Sequence, residues 1–191
     1  MKEVLKLLIV LTCVCMIAAL CLSFVNDATK EARAYQDRLE LLNALNMVLP
    51  GHDNEPDKDM LDLMGYTYYL SKSGGNTNGV AFITESDKGY SGLIKVIVGV
   101  EPDGKIVAIG ILEQKETPGL GSKIAQDWFK DQYAQKTLDN AKWAVKKDGG
   151  DFDQISGATI SPRAVTAAVK QGLEKFATDR ASILGGNDVV Q

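Results

Sequence analysis

The chain reads as an α+β protein: one N-terminal transmembrane helix, then a single domain with an antiparallel sheet and packed helices. Three observations predict it. The 19 residues from Leu7 to Val25 carry no charge. Two apolar runs, Leu93–Val100 and Lys105–Leu112, flank the turn Glu101-Pro102-Asp103-Gly104, where Pro102 presets its own φ and Gly104 accepts a positive one, so the runs pair as an antiparallel hairpin. After Pro162, Val165, Val169, Leu173 and Phe176 recur at helical spacing, which marks a helix with one apolar face. Strands grouped beside helices, rather than alternating with them, indicate α+β and not a parallel sheet.

At about 1.5 Å per residue, the first run covers close to the roughly 30 Å of bilayer hydrocarbon, with Lys2 and Lys6 placed to snorkel to the interface. A cleaved signal peptide is the alternative. The run exceeds the roughly 7 to 15 apolar residues of a signal core, and its nearest small-residue cleavage pattern is the distant Ala32-Arg33-Ala34, so an uncleaved single-pass anchor in the cell membrane is expected. Its short N-terminal tail stays in the cytoplasm and the domain lies on the extracytoplasmic side, although Lys30, Arg33 and Arg38 weaken the charge bias. Cys13, Cys15 and Cys21 all fall inside the apolar run and read as polarizable apolar side chains in contact with membrane lipid.

Four segments are expected: residues 1–25, tail and transmembrane helix; 26–50, a juxtamembrane amphipathic helix; 51–178, the folded domain; and 179–191, a C-terminal tail. The second carries Tyr35, Leu39, Leu42, Leu45 and Leu49 at spacings of three and four and ends at Pro50-Gly51. The acidic stretch 51–59, around the sole histidine His52, lacks the Gly and terminal Glu of an EF-hand and reads as a solvated loop, so no metal site is assigned. Strands are expected at Tyr66–Leu70 and Val80–Thr84, with the hairpin at the centre of the sheet, and helices at Ser122–Asp131 and Pro162–Thr178. With 21 basic and 25 acidic residues, and no basic block interleaved with aromatics, nucleic acid is excluded as a partner.

Two passages carry the chemistry. Asp153-Gln154-Ile155-Ser156-Gly157-Ala158-Thr159-Ile160-Ser161-Pro162 leads into the last helix. Ser161 suits the N-cap and Pro162 the first turn, so unpaired amides point toward Thr159 and favour an anion such as phosphate. The plain alternative is a helix cap and nothing more. Ser156 lacks the preceding Gly of a nucleophile elbow and His52 is the only possible base, which argues against acyl transfer. The other passage, Glu116-Thr117-Pro118-Gly119-Leu120-Gly121, has glycines where backbone can approach a ligand closely, with Lys123 nearby to offset negative charge; a tight turn is its plain alternative. Their succession, some 30 residues apart, is far more specific than either alone.

Those two motifs, with Gly89-Tyr90-Ser91-Gly92 at the start of the hairpin and the membrane helix before them, resemble the FMN-binding domain family of Rnf-type ion-translocating electron-transport complexes. The resemblance covers most of the chain. It implies one FMN joined by a phosphodiester to Thr159 and attached by a flavin transferase that uses FAD and reads Asp153, Ser156, Gly157, Ala158 and Thr159. It implies that Glu116, Thr117, Gly119 and Leu120 lie by the ring or ribityl chain, with Gly121, Lys123, Ser156, Gly157, Ala158, Ile160 and Ser161 completing the cofactor site. The implied function is electron relay, without a diffusible substrate or catalytic residue of its own, in a ferredoxin:NAD+ oxidoreductase that couples electron flow to Na+ or H+ translocation through partner subunits. The related C subunit of the sodium-pumping quinone reductase shares the motifs but is generally longer; a non-redox anchored module holding a non-covalent anion is the competing class.

Overall fold

The structure is a computed structural model that describes residues 2–49 and 51–185. Two compact units result, 1–40 and 41–191. A helix, α1, runs from Lys2 to Val48, longer than the separate elements expected, because nothing between Leu7 and Leu49 breaks a helix. In the first unit its apolar side chains are exposed, and it is the one described helix long and apolar enough to cross a membrane. The Thr12 hydroxyl donates to the Leu8 carbonyl at 2.8 Å, which satisfies it within the helix. Pro50, expected to end this helix, lies outside the described residues, as do 186–191 of the expected tail; the helix itself stops at Val48.

In the second unit five antiparallel strands form a meander in the order β1-β2-β3-β4-β5: β1 Met60–Leu63, β2 Tyr66–Ser73, β3 Asn76–Gly89, β4 Gly92–Val100 and β5 Ile106–Glu113. The hairpin around Glu101–Gly104 forms as expected, with Val98 opposite Ile109. It does not occupy the centre of the sheet: β3 is central and β5 is an edge. The chain leaves the sheet after β5 without adding a strand, and Gln135 and Lys136 cover part of that edge by backbone hydrogen bonds to Ile106 at 2.8 and 2.9 Å, which blunts it against unwanted pairing. Strand β1 was not expected, since Met-Leu-Asp-Leu has no clear alternation.

Alternation along the strands sorts the core onto two faces. Val80, Phe82, Val96, Val98 and Ile109 join the larger cluster with Val165, Val169, Leu173 and Phe176 of α3, Ile160–Gly185, the four helix positions expected. Ala81 and Ile97 turn the other way and meet Ala44, Leu45, Val48 and Leu49. The approach of α1 there is so close that a Cβ on Gly99 would fall on the Val48 carbonyl. The helix α3 also sits tightly: a Cβ on Gly172 would come within 2.6 Å of the Phe82 ring.

The helix expected at Ser122–Asp131 is broken into a 3-10 turn at Gly121–Ala125, a single α-turn, α2, at Asp127–Lys130 and another 3-10 turn at Asp131–Tyr133. Gln126 is extended, with ψ 148°, and the break lets Ile124, Phe129 and Tyr133 all reach the core. The stretch 51–59 is less solvated than expected: the Asp53 carboxylate accepts the Gly74 amide at 2.8 Å, Asn54 donates to Asp59 and to the Leu70 carbonyl, and Lys72 pairs with Asp59 at 3.5 Å. Its polar groups fasten the loop to the β2–β3 hairpin.

Candidate functional site

The second motif rides on an irregular segment that aromatic packing holds in place. Phe152 stacks on Tyr133 with ring centres 4.6 Å apart and lies 4.9 Å from Trp143, while the Tyr133 and Thr166 hydroxyls are 2.8 Å apart. Burial of Phe152 and Ile155 fixes the chain on both sides of Asp153. The turn Ile155–Ala158 closes by an Ala158 amide to Ile155 carbonyl bond of 3.0 Å, with Gly157 at φ +79°, a conformation that a side chain would strain.

The last helix starts two residues earlier than expected. Ile160 is already helical, and the Thr159 carbonyl accepts the Arg163 amide at 3.2 Å, so Thr159 and not Ser161 holds the N-cap position. Pro162 lies in the first turn, where its missing N–H costs nothing. Among the described residues the Thr159 hydroxyl has no protein partner, and the amides of Ile160 and Ser161 face the same end of the helix. Arg163 also clamps Asp148 through two bonds of 2.6 Å; the guanidinium holds the Asp148 carboxyl below the usual carboxylate range.

Glu116 has a different role from its neighbours. It is 5% exposed, accepts the Ser161 hydroxyl at 2.6 Å through Oε2 and accepts the Ser91 amide at 3.0 Å through Oε1. One carboxylate therefore joins the first motif, the β3–β4 turn and the first turn of α3. Thr117 accepts the Leu120 amide at 3.1 Å and the Ser122 hydroxyl accepts the Gly119 amide at 3.0 Å, which folds Thr117–Ser122 into a compact turn with Leu120 pointing outward, 43% exposed.

Between these pieces lies a cleft of about 350 Å³ lined by Tyr90, Glu116, Thr117, Leu120, Gly121, Gly157, Ala158, Thr159, Ile160 and Ser161. The two motifs thus form opposite walls of one site. Gly119, Lys123 and Ser156 lie outside that lining. So does Asp153, whose carboxylate pairs with Lys146 at 2.7 Å and whose amide donates to Gln132. Tyr90, 70% exposed at the tip of the β3–β4 turn, is a wall residue that sequence reasoning did not select; its only signal was the Gly89–Gly92 match. A larger hollow of about 650 Å³ between β2–β3 and α3 contains Tyr66, Glu85 and Glu174 but no motif residue.

A meander sheet flanked by one long helix, with a cleft closed by these two turns, defines an FMN-binding domain, and the family model of that description matches residues 89–174. The chain is 41% identical over 172 residues to the G subunit of the ion-translocating oxidoreductase complex of Aliivibrio fischeri strain ES114, with 81% of each chain covered. It is 38% identical over 182 residues to the G subunit of Cereibacter sphaeroides strain ATCC 17029, covering 88% of this chain and 82% of that one. This chain belongs to the family of G subunits of ion-translocating oxidoreductase complexes. Its fold is also similar to that of the Shewanella oneidensis NqrC crystal structure, with TM-score 0.53 and 26% identity over 64% of this chain and 62% of that one.

Proposed function

We propose that this chain is the membrane-anchored, FMN-carrying electron-transfer subunit of an ion-translocating ferredoxin:NAD+ oxidoreductase, with FMN joined by a phosphodiester to Thr159. The observation that carries the reading is the hydroxyl of Thr159: partnerless among the described residues, at the N-cap of α3 and in the wall of the cleft. The residues present suit FMN. Helix-terminal amides and dipole favour a phosphate at Thr159, and the exposed side chains of Leu120, Ile160 and Tyr90 offer apolar surface to a flavin ring. When bound, the cofactor supplies the reversible electron uptake that no side chain here provides.

The chain's own part is to hold and orient. Attachment by a flavin transferase with FAD as donor would form a bond from Thr159 Oγ1 to the flavin-side phosphorus, break the pyrophosphate bond and release AMP with the hydroxyl proton. Linkage through the phosphate leaves the ring chemistry unaltered. Thr117, Leu120 and the 157–160 backbone then set where the ring can lie, and the surrounding subunits carry the ion. Asp153 and Ser156, outside the cleft lining, serve the transferase rather than the ring.

Co-expression with the transferase should raise the intact mass by one FMN-sized increment, and Thr159→Ala should abolish both that increment and the in-gel flavin fluorescence. A flavin-bearing peptide that excludes Thr159 would refute the assignment. The short tail ahead of the apolar run supports a cytoplasmic N-terminus and an extracytoplasmic domain, with α1 as the lipid-contacting anchor. External protease on intact spheroplasts should therefore digest the domain, and protection there would reverse the orientation.

A further inference from the structure

We infer that Glu116 is a positioning residue: its carboxylate is the strut that holds the first turn of α3, and with it the Thr159 hydroxyl, against the opposite wall of the cleft. The inference rests on the proposed attachment at Thr159 for its functional consequence, but its geometry stands on the chain alone.

Both carboxylate oxygens are occupied by protein donors, the Ser161 hydroxyl on one and the Ser91 amide on the other. Ser161 is two residues past Thr159, so the contact acts on the attachment point through a single turn of helix. A negative group at that end is also favoured by the helix dipole. The space around the carboxylate is closed by two glycines from separate motifs. A Cβ on Gly121 would come within 2.6 Å of Oε2 and 2.5 Å of the Ser161 hydroxyl, and one on Gly89 within 2.8 Å of Oε1. Glycine at both places is what a buried carboxylate at this junction requires, because heavy atoms cannot share that volume. The same fact separates Gly121 from Gly119, whose missing side chain would meet nothing within 4 Å.

Removing the carboxylate leaves the buried Ser161 hydroxyl without its partner, takes the Ser91 amide's acceptor away, and frees the start of α3 from the β3–β4 turn. Glutamine keeps the shape: its carbonyl can accept the Ser91 amide, and its amide can donate to Ser161, which then turns its hydroxyl proton elsewhere. The substitutions are therefore expected to separate.

The test measures two quantities on the full-length chain in detergent. One is the initial rate of FMN mass gain with purified transferase and FAD; the other is hydrogen exchange of peptides covering Ser91 and Thr159–Arg163 before flavin is added. Glu116→Ala and Ser161→Ala should slow mass gain at least tenfold at a temperature well below their melting transitions, and should speed exchange in those peptides alone. Glu116→Gln should stay within about threefold of wild type in both. Rates within twofold of wild type for Glu116→Ala, or unchanged exchange at Thr159–Arg163, would overturn the inference. If Glu116→Ala does not fold, Ser161→Ala decides by the same two thresholds. A wild-type chain that gains no mass would sink the attachment at Thr159 instead, and the exchange measurement would still judge the strut.

Discussion

Thr159 spends its carbonyl on the first hydrogen bond of α3 and keeps its hydroxyl out of the protein's own network. A working N-cap loses about 1 kcal/mol when Thr becomes Ala, but here the side chain caps no amide. Thr159→Ala should therefore cost less than that while removing all covalent flavin, a separation readable as an unchanged melting temperature beside a lost mass increment. Gly121→Ala should behave in the opposite way. Its new methyl would meet Glu116 and Ser161, and forced overpacking typically costs about 1–3 kcal/mol, so denaturant midpoint and flavin loading should fall together. Ser156→Ala, outside the cleft lining, should fold normally and load more slowly rather than not at all; complete loss of loading would move the attachment point toward Ser156.

The long α3 and the end of α1 each depend on one close approach to the sheet. Gly99→Ala would set a methyl on the Val48 carbonyl, so the residues from Ala44 to Leu49 should lift from the sheet at a cost of about 1–3 kcal/mol, measurable as a lowered denaturant midpoint. On the other face Phe176 stacks on Phe82 with ring centres 6.0 Å apart and planes at 17°, and both rings are buried. Phe176→Ala should cost about 3–5 kcal/mol, because it leaves a ring-sized cavity between α3 and the sheet. These two elements explain why the motif loops are so well fixed although little of 114–159 is regular: Glu116 fastens one loop to α3, and Phe152 and Ile155 bury the other.

For the folded domain, pH dependence follows from groups that join α3 to the rest. The Tyr68 phenol donates to Asp179 at 2.8 Å, and Lys175 approaches the same carboxylate at 2.8 Å. The lysine contact holds the Asp179 carboxyl below its usual range, with help from Tyr68. A carboxyl depressed in the folded state binds protons more readily when unfolded, so its stabilisation is present above about pH 4 and is lost as pH falls through the folded value. Burial pushes the phenols of Tyr68 and Tyr133 up. The unfolded chain then releases those protons first, so stability should decline as pH rises past about 10. A denaturant series from pH 3 to 11 should show both limbs, and Tyr68→Phe should flatten the alkaline one. A flat alkaline limb in the unmodified protein would contradict the burial of these phenols.

Periodicity and turn chemistry were enough to reveal the N-terminal apolar helix, the β4–β5 hairpin and the buried face of α3, because each depends on residues within a few positions of one another. Pairing of the two motifs could be read from their order. Their closure into one cleft could not, since the Glu116–Ser161 bond spans 45 positions and nothing local marks which carboxylate will be buried. The same reason hid β1, which exists by pairing with β2, and split the expected Ser122–Asp131 helix, where Ile124, Phe129 and Tyr133 answer to the core rather than to a helical period. Short-range stereochemistry wrote the elements into the chain; which wall Thr159 faces, and what holds it there, depends on contacts that exist only once distant segments have packed.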